Sequence, residues 1–143
     1  MTHEQLLELW EQDAGIDKTK LDDEALYIPN LHHKYLRILM DTKSKRIAYI
    51  HKLETLKKDK ELYYSGQATS DVYKEKPFDL KLKTKGGIEK HVNTDPDVIN
   101  MLQKIEYFDV LIQGVEHIMT QIQWRNSTIK SAIDFMRFTS GEL

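Results

Sequence analysis

The stretch that decides the fold runs from residue 95 to residue 122 and reads DPDVINMLQKIEYFDVLIQGVEHIMTQI. Asp95 can cap a helix, Pro96 suits the first helical position, and Asp97 complements the positive end of the helix dipole. Apolar side chains then recur at steps of three or four residues for more than three heptads. The sequence therefore predicts a long C-terminal helix whose apolar stripe is wide enough to pack against more than one neighbour.

The same stripe predicts self-assembly, because sustained apolar spacing of this kind pairs helices in coiled coils and bundles. We expect seven of its members to form the interface of a homo-oligomer, namely Leu102, Ile105, Phe108, Ile112, Val115, Met119 and Ile122. A further helical segment at residues 124–138 is predicted after a bend near Asn126 and Ser127, and Gly141 marks its end.

Two more helices are predicted upstream. Residues 2–5, THEQ, read as a capping box, and a short helix then extends to Gly15. Pro29 lacks an amide donor and disfavours helix at the preceding residue, so the main helix is predicted to begin near Pro29 or Asn30. Gly66 is expected to end this helix, which would then have about 35 residues and a length of about 50 Å.

The segment between the two long helices contains the turn signals. Residues 67–76 are polar and predict a loop, whereas residues 78–84 alternate apolar and polar side chains at the period of a strand. Residues 85–87, KGG, supply turn chemistry before a second short apolar segment at residues 88–92. This pattern predicts a β-hairpin, with a flexible basic loop as the alternative.

Composition indicates a single, mainly α-helical domain of 143 residues, with 40% hydrophobic and 31% charged residues. The chain has no cysteine, which excludes disulfides and thiolate zinc sites. It has no phosphate-cradling loop, no pair of histidines at metal-ligand spacing and no nucleophile elbow, so we expect no cofactor, no metal and no enzymatic activity. The absence of a signal peptide and of a long apolar run predicts a cytoplasmic protein that does not enter a membrane.

Charge is distributed unevenly along the chain. Residues 43–90 carry 13 Lys and Arg against seven Asp and Glu, whereas the flanking segments 1–42 and 91–143 are both acidic. Lysines joined by tyrosines suit single-stranded nucleic acid, since phosphates need cations and unpaired bases stack on flat rings. The candidate single-strand contacts are Arg46, Lys57, Lys58, Lys60, Tyr63, Tyr64, Lys81, Lys83 and Lys85.

The alternative is that these lysines form the solvated end of a helix and bind no ligand. Lysines near a helix C-terminus complement the negative end of its dipole whether or not a ligand binds there. On that interpretation the chain is a helical coiled-coil assembly or scaffold protein without a nucleic-acid role. The two hypotheses differ in whether the oligomer binds an oligonucleotide.

Residues 58–66, KDKELYYSG, resemble the Lys-x-basic and Tyr-Tyr-Ser-Gly signature of the UvsY family, the recombination mediators of T-even-like phages. Residues 17–21, DKTKL, are similar to the N-terminal part of that family, and residues 95–98 and 129–141 are similar to its C-terminal part. The resemblance covers nearly the whole chain, although residues 70–93 match poorly.

The resemblance implies a non-catalytic protein that binds single-stranded DNA, helps to load a RecA-like recombinase (UvsX) and displaces the single-strand-binding protein during phage recombination and repair. It also implies a ring-like homo-oligomer, a hexamer or heptamer, in the cytoplasm of the infected bacterial host. Residues 1–94 would then be the DNA-binding region and residues 95–143 the oligomerisation region.

The resemblance further places Lys58 and Lys60 at the two basic positions with which the family contacts DNA. Lys60 stands where the T-even protein has Arg. A lysine keeps the charge at this position but loses the planar stacking and forked hydrogen bonding of a guanidinium.

Overall fold

A computed structural model describes residues 1–78, 82 and 84–141 of the chain. These residues form five α-helices: α1 (His3–Ala14), α2 (Leu21–Tyr64), α3 (Ser70–Glu75), α4 (Lys85–Asn93) and α5 (Pro96–Thr139). Within those ranges there is no β-strand. The prediction of a mainly α-helical fold is therefore confirmed.

Local sequence signals set both ends of α1. The Thr2 side chain accepts a hydrogen bond from the Gln5 amide at 3.1 Å, and the Gln5 side chain accepts one from the Thr2 amide at 2.9 Å. This reciprocal pair is the predicted capping box. The helix ends at Ala14, directly before the predicted stop at Gly15.

The predicted start of α2 near Pro29 is wrong, because the helix begins at Leu21 and contains Pro29 in its interior. A proline inside a helix costs about 3 kcal/mol. Leu21 and Leu31 are both buried on either side of it, and full burial of a leucine contributes about 1.5 to 3 kcal/mol. Acidic residues in the first turn add a favourable dipole interaction, so tertiary packing outweighs the local preference of the proline.

The C-terminus of α2 lies where Gly66 predicted it. Gly66 has a φ of 78°, and its amide donates to the Tyr63 carbonyl while the Gln67 amide donates to the Leu62 carbonyl at 2.9 Å. These two hydrogen bonds form a Schellman motif, which requires a residue with positive φ. Glycine is the residue that adopts this conformation without strain.

The hairpin prediction is wrong at its second arm, since residues 88–92 lie in helix α4. Thr84 caps this helix by accepting a hydrogen bond from the Gly87 amide at 3.2 Å. Val92 is buried, and Ile88, one turn earlier, packs against the same core. An i, i+4 apolar pair behind a threonine cap therefore forms a helix, and Lys85, Gly86 and Gly87 are its first residues rather than a turn.

The structure also differs from the prediction in the rest of the middle segment. The loop expected at residues 67–76 contains the six-residue helix α3. The first predicted strand falls largely on residues 79–81 and 83, which lie outside the described residues.

Helix α5 begins as predicted. The Asp95 carboxylate accepts a hydrogen bond from the Asp97 amide at 2.8 Å, and Pro96 occupies the first helical position. The helix then continues for 44 residues to Thr139, so the separate helical segments expected on either side of residues 126–127 are one helix. Buried Arg125 and Ile129 flank this polar pair, and their packing holds it in helical conformation.

The chain divides into two compact units, one of residues 1–43 with 109–143 and the other of residues 44–108. The first has its own core, formed by Leu6, Leu21, Leu31, Tyr35, Leu39, Leu111, Val115, Ile118, Ile122 and Ile129. The core of the second is formed by Leu53, Val92, Val98 and Ile105. The functional regions 1–94 and 95–143 are a different division, and they stay a prediction.

Candidate nucleic-acid interface

An open groove of about 740 Å³ lies within the unit of residues 44–108, between the end of α2 and helix α4. Its polar lining includes Lys57, Lys58, Glu61, Lys85, Glu89 and Asn93, and its apolar lining is Leu62, Ile88 and Val92. We call this the basic groove. Three residues predicted as single-strand contacts, Lys57, Lys58 and Lys85, therefore line one concave surface although they are distant in sequence.

None of Lys57, Lys58 and Lys85 forms an ion pair with a residue in the described part of the chain. Lys58 and Lys85 are exposed, and Lys57 is half-buried. Lys85 is also the first residue of α4, so the positive end of that helix dipole adds to its charge. The groove can therefore attract an anion without first breaking an internal salt bridge.

Lys60, one turn further along α2, is placed quite differently. Its Nζ atom lies 2.8 Å from Oδ2 of Asp97 and 3.3 Å from Oδ2 of Asp95, and its side chain is only 16% exposed. Burial acts to lower the pKa of the Lys60 ammonium, but the two carboxylates outweigh burial and raise the pKa above its ordinary value. Lys60 is thus charged and already paired with two carboxylates.

Asp95 is the centre of a second set of contacts. Its Oδ2 atom accepts a hydrogen bond of 2.6 Å from the Tyr64 hydroxyl, in addition to the contact with Lys60. Burial raises the pKa of the Asp95 carboxyl, yet the hydrogen bond from Tyr64, the Asp97 amide and Lys60 lower it below its ordinary value overall. Burial also raises the pKa of the Tyr64 hydroxyl, and its hydrogen bond to Asp95 adds to this shift. These contacts join the last turn of α2 to the first turn of α5.

The predicted stacking tyrosines pack against other aromatic rings of the chain. The rings of Tyr63 and Tyr73 are stacked, with centroids 5.5 Å apart and planes 16° apart. The Tyr64 ring meets the Phe78 ring edge-on, with centroids 5.0 Å apart. It lies tilted against the His91 ring, with centroids 5.4 Å apart. The Tyr73 hydroxyl also donates to the Tyr63 carbonyl at 2.7 Å, which is a second hydrogen bond at a carbonyl near the end of α2 that already accepts from the Gly66 amide. Sequence reasoning did not identify this contact.

The remaining predicted contacts do not line the basic groove. Arg46 is half-buried on α2 and has interaction partners within the chain. Lys81 and Lys83 lie outside the described residues.

The predicted oligomerisation residues fall into three environments. Ile105, Val115 and Ile122 are buried by their own chain, Phe108, Ile112 and Met119 are half-buried, and Leu102 is exposed. The most exposed large apolar side chains of α5 lie further along it, where Trp124 and Phe135 are each 67% exposed and Phe138 is 70% exposed. These aromatic residues are visible in the sequence of residues 124–138. The oligomerisation prediction was instead based on the apolar stripe of residues 102–122, part of which is buried within the subunit.

Two other kinds of site, a metal site and a membrane-spanning helix, are absent from the described ranges. Across residues 1–78, 82 and 84–141, no three His, Asp or Glu side chains are grouped so that they could hold a metal ion. No helix in this part of the chain is both long and apolar enough to cross a membrane.

The fold and the basic groove define a class of small helical proteins whose open groove is lined by lysines. A family model described as "Recombination, repair and ssDNA binding protein UvsY" matches residues 9–142. The chain therefore belongs to the UvsY family, and the resemblance noted in its sequence is confirmed.

Known relatives match over almost their whole length. The recombination protein uvsY of Enterobacteria phage T4 is 25% identical over 142 residues, which are 99% of this chain and 100% of that protein. Two crystal structures of the bacteriophage T4 recombination mediator protein UvsY match at 25% identity, with TM-scores of 0.84 and 0.82. The matches cover 96% and 98% of this chain and 99% and 98% of the crystallised chains.

Proposed function

We propose that this protein binds single-stranded DNA through the basic groove and acts as a recombination mediator. The observation that carries the proposal is the meeting of Lys57, Lys58 and Lys85, which make no ion pair with any described residue, at one open groove in a member of the UvsY family. The lysines neutralise phosphates, and the first turn of α4 adds backbone dipoles directed at an anion. The protein acts through binding free energy and has no catalytic role.

The proposal assigns backbone contacts to the groove and gives the tyrosines a supporting role. Tyr63 and Tyr64 already pack against other aromatic rings of the chain, so phosphates rather than bases supply most of the affinity. Glu61 and Glu89 also line the groove and reduce its net positive charge. One subunit therefore binds weakly and without base specificity, while Arg46, Lys81 and Lys83 stay predicted contacts.

In the mediator role, the protein helps to load a RecA-like recombinase of the UvsX type and displaces single-strand-binding protein from the same strand. Competition for phosphates is the physical basis of that displacement, because each phosphate paired with a lysine here is unavailable to the other protein. The crystallised relatives from bacteriophage T4, which are described as a recombination mediator protein, support the mediator role. The proposed place of action is the cytoplasm of the infected bacterial host.

Binding to an oligonucleotide tests the proposal directly. We expect fluorescence anisotropy to detect binding of a labelled poly-dT oligonucleotide that weakens steeply between 50 and 200 mM salt, since bound lysines release counterions from the strand. A duplex of equal length is the comparison that separates single-strand binding from general binding to phosphates. Binding that does not depend on salt, or no binding at all, would instead favour the helical scaffold without a nucleic-acid role.

Self-assembly through α5 is the second part of the proposal, and a ring of six or seven subunits is its expected form. Trp124, Phe135 and Phe138 are separated by eleven and three residues, which are close to whole turns of a helix with 3.6 residues per turn. They therefore lie on one face of α5, and all three are largely exposed. An exposed aromatic stripe is typical of a protein interface. Assembly repeats the basic groove along one strand and raises affinity through effective concentration.

Removing this aromatic stripe should dissociate the oligomer. We expect Phe135→Asp combined with Phe138→Asp to sediment as a single chain of 16.9 kDa, because two charges cannot be buried unpaired in an interface. Far-UV circular dichroism should be unchanged, since both side chains are exposed in the subunit. Leu26→Asp, at an exposed leucine of α2, is the matched control and should assemble like the wild type. An oligomer that survives the double substitution would place the interface elsewhere.

A further inference from the structure

Lys60 occupies a family DNA-contacting position, yet its ammonium group is held by two carboxylates of its own chain. Transfer of this ammonium to a DNA phosphate would leave Asp95, whose side chain is only 5% exposed, without its charge partner. An uncompensated buried carboxylate is strongly unfavourable. Lys57, Lys58 and Lys85 meet no such penalty from residues 1–78, 82 and 84–141, among which they have no ion-pair partner.

We infer that Lys60 is a positioning residue, which fixes the shape of the basic groove and does not itself contact a phosphate. The inference rests on the proposed function of the groove. It gives the two basic positions of the motif different roles: Lys58 contacts the strand, and Lys60 holds the surface that presents Lys58.

The connection from Lys60 to the groove runs through Asp95. One wall of the groove is the end of α2, and the other is α4. Asp95 is two residues beyond the last residue of α4, and its amide donates to the Val92 carbonyl at 3.2 Å, so its position is tied to that helix. Lys60 and Tyr64, both on α2, hold the Asp95 carboxylate at 3.3 Å and 2.6 Å. Together they set the separation of the two walls.

Salt-dependent binding separates a positioning residue from a contact. We expect Lys60→Met to weaken poly-dT binding by about fivefold, within the range for residues that act through another group, while the slope of log Kd against log salt stays at the wild-type value. Lys58→Met, the matched control, should reduce that slope by about 0.7, the value for one lost phosphate contact on a single strand. Thermal unfolding should shift to lower temperature in Lys60→Met only.

Two further variants sharpen the result. Lys60→Arg should keep the affinity and the thermal stability of the wild type, because a guanidinium can bind both carboxylates with its fork of donors. Asp97→Asn should change affinity by less than about twofold, since Lys60 retains Asp95 as its partner. If Lys60→Met does not fold, the affinity of Asp97→Asn still distinguishes a positioning role of Lys60 from a phosphate contact.

The opposing results are distinct. If Lys60 contacts a phosphate, Lys60→Met lowers the slope by about 0.7, and Asp97→Asn tightens binding by removing a competing anion. Either outcome overturns the inference but leaves the proposed function in place. Failure of the wild-type protein to bind the oligonucleotide overturns the proposed function, and the role of Lys60 in binding is then rejected with it.

Discussion

Replacement of Arg125 by alanine should lower the free energy of unfolding by about 3 to 5 kcal/mol, the range for a buried ion pair that loses one partner. The Arg125 side chain is 6% exposed and donates to the carbonyls of Ala14 and Gly15 at 3.0 and 2.8 Å and to the Glu24 carboxylate at 2.9 Å. Alanine leaves all three acceptors without this donor and opens a void where the guanidinium was. Helix α1 loses the group that satisfies its C-terminal carbonyl.

Urea unfolding followed by circular dichroism at a fixed protein concentration measures this cost. Arg137→Ala, at an exposed position of the same helix, is the control and should change the free energy of unfolding by no more than about 0.5 kcal/mol. Hydrogen exchange should show the largest loss of protection in α1. A change below about 1 kcal/mol for Arg125→Ala would mean that water and neighbouring groups replace the guanidinium.

The ends of the helices could be predicted from sequence because their causes are local. The Thr2 and Asp95 side chains each accept a hydrogen bond from a backbone amide no more than three residues away. Gly66 adopts the positive φ that ends α2. The start of α2 could not be predicted in this way. Pro29 gives a strong local signal against helix, and the burial that outweighs it depends on residues far along the chain.

The same division applies to the candidate site. Charge counting identified the lysine-rich segment, but it could not separate Lys58, which has no ion pair in the described part of the chain, from Lys60, which is paired with carboxylates at positions 95 and 97. The stabilising role of Arg125 could not be predicted from the sequence either, since its hydrogen-bond acceptors lie more than 100 residues earlier in the chain. Contacts of this kind depend on how distant helices pack, and no local pattern encodes them.

Removal of all three lysines of the basic groove should have the largest effect on DNA binding. We expect the variant Lys57→Ala, Lys58→Ala and Lys85→Ala to bind poly-dT about 50-fold more weakly at 0.15 M salt. Each lost phosphate contact on a single strand lowers the slope of log affinity against log salt by about 0.7, so three lost contacts lower it by about 2. Near 1 M salt the counterion contribution vanishes, and the two proteins should bind almost equally.

A general loss of positive charge could also weaken binding, and a second triple variant separates this effect from the loss of groove contacts. Lys18→Ala, Lys20→Ala and Lys130→Ala remove the same charge from exposed positions outside the groove. Charges further from the strand than a Debye length, about 8 Å at 0.15 M, are largely screened, so the slope should stay at its wild-type value. If both variants lose the same slope, binding depends on net charge alone. A loss confined to the groove variant means that Lys57, Lys58 and Lys85 act as a localised site, because only fixed contacts depend on where the charge is placed.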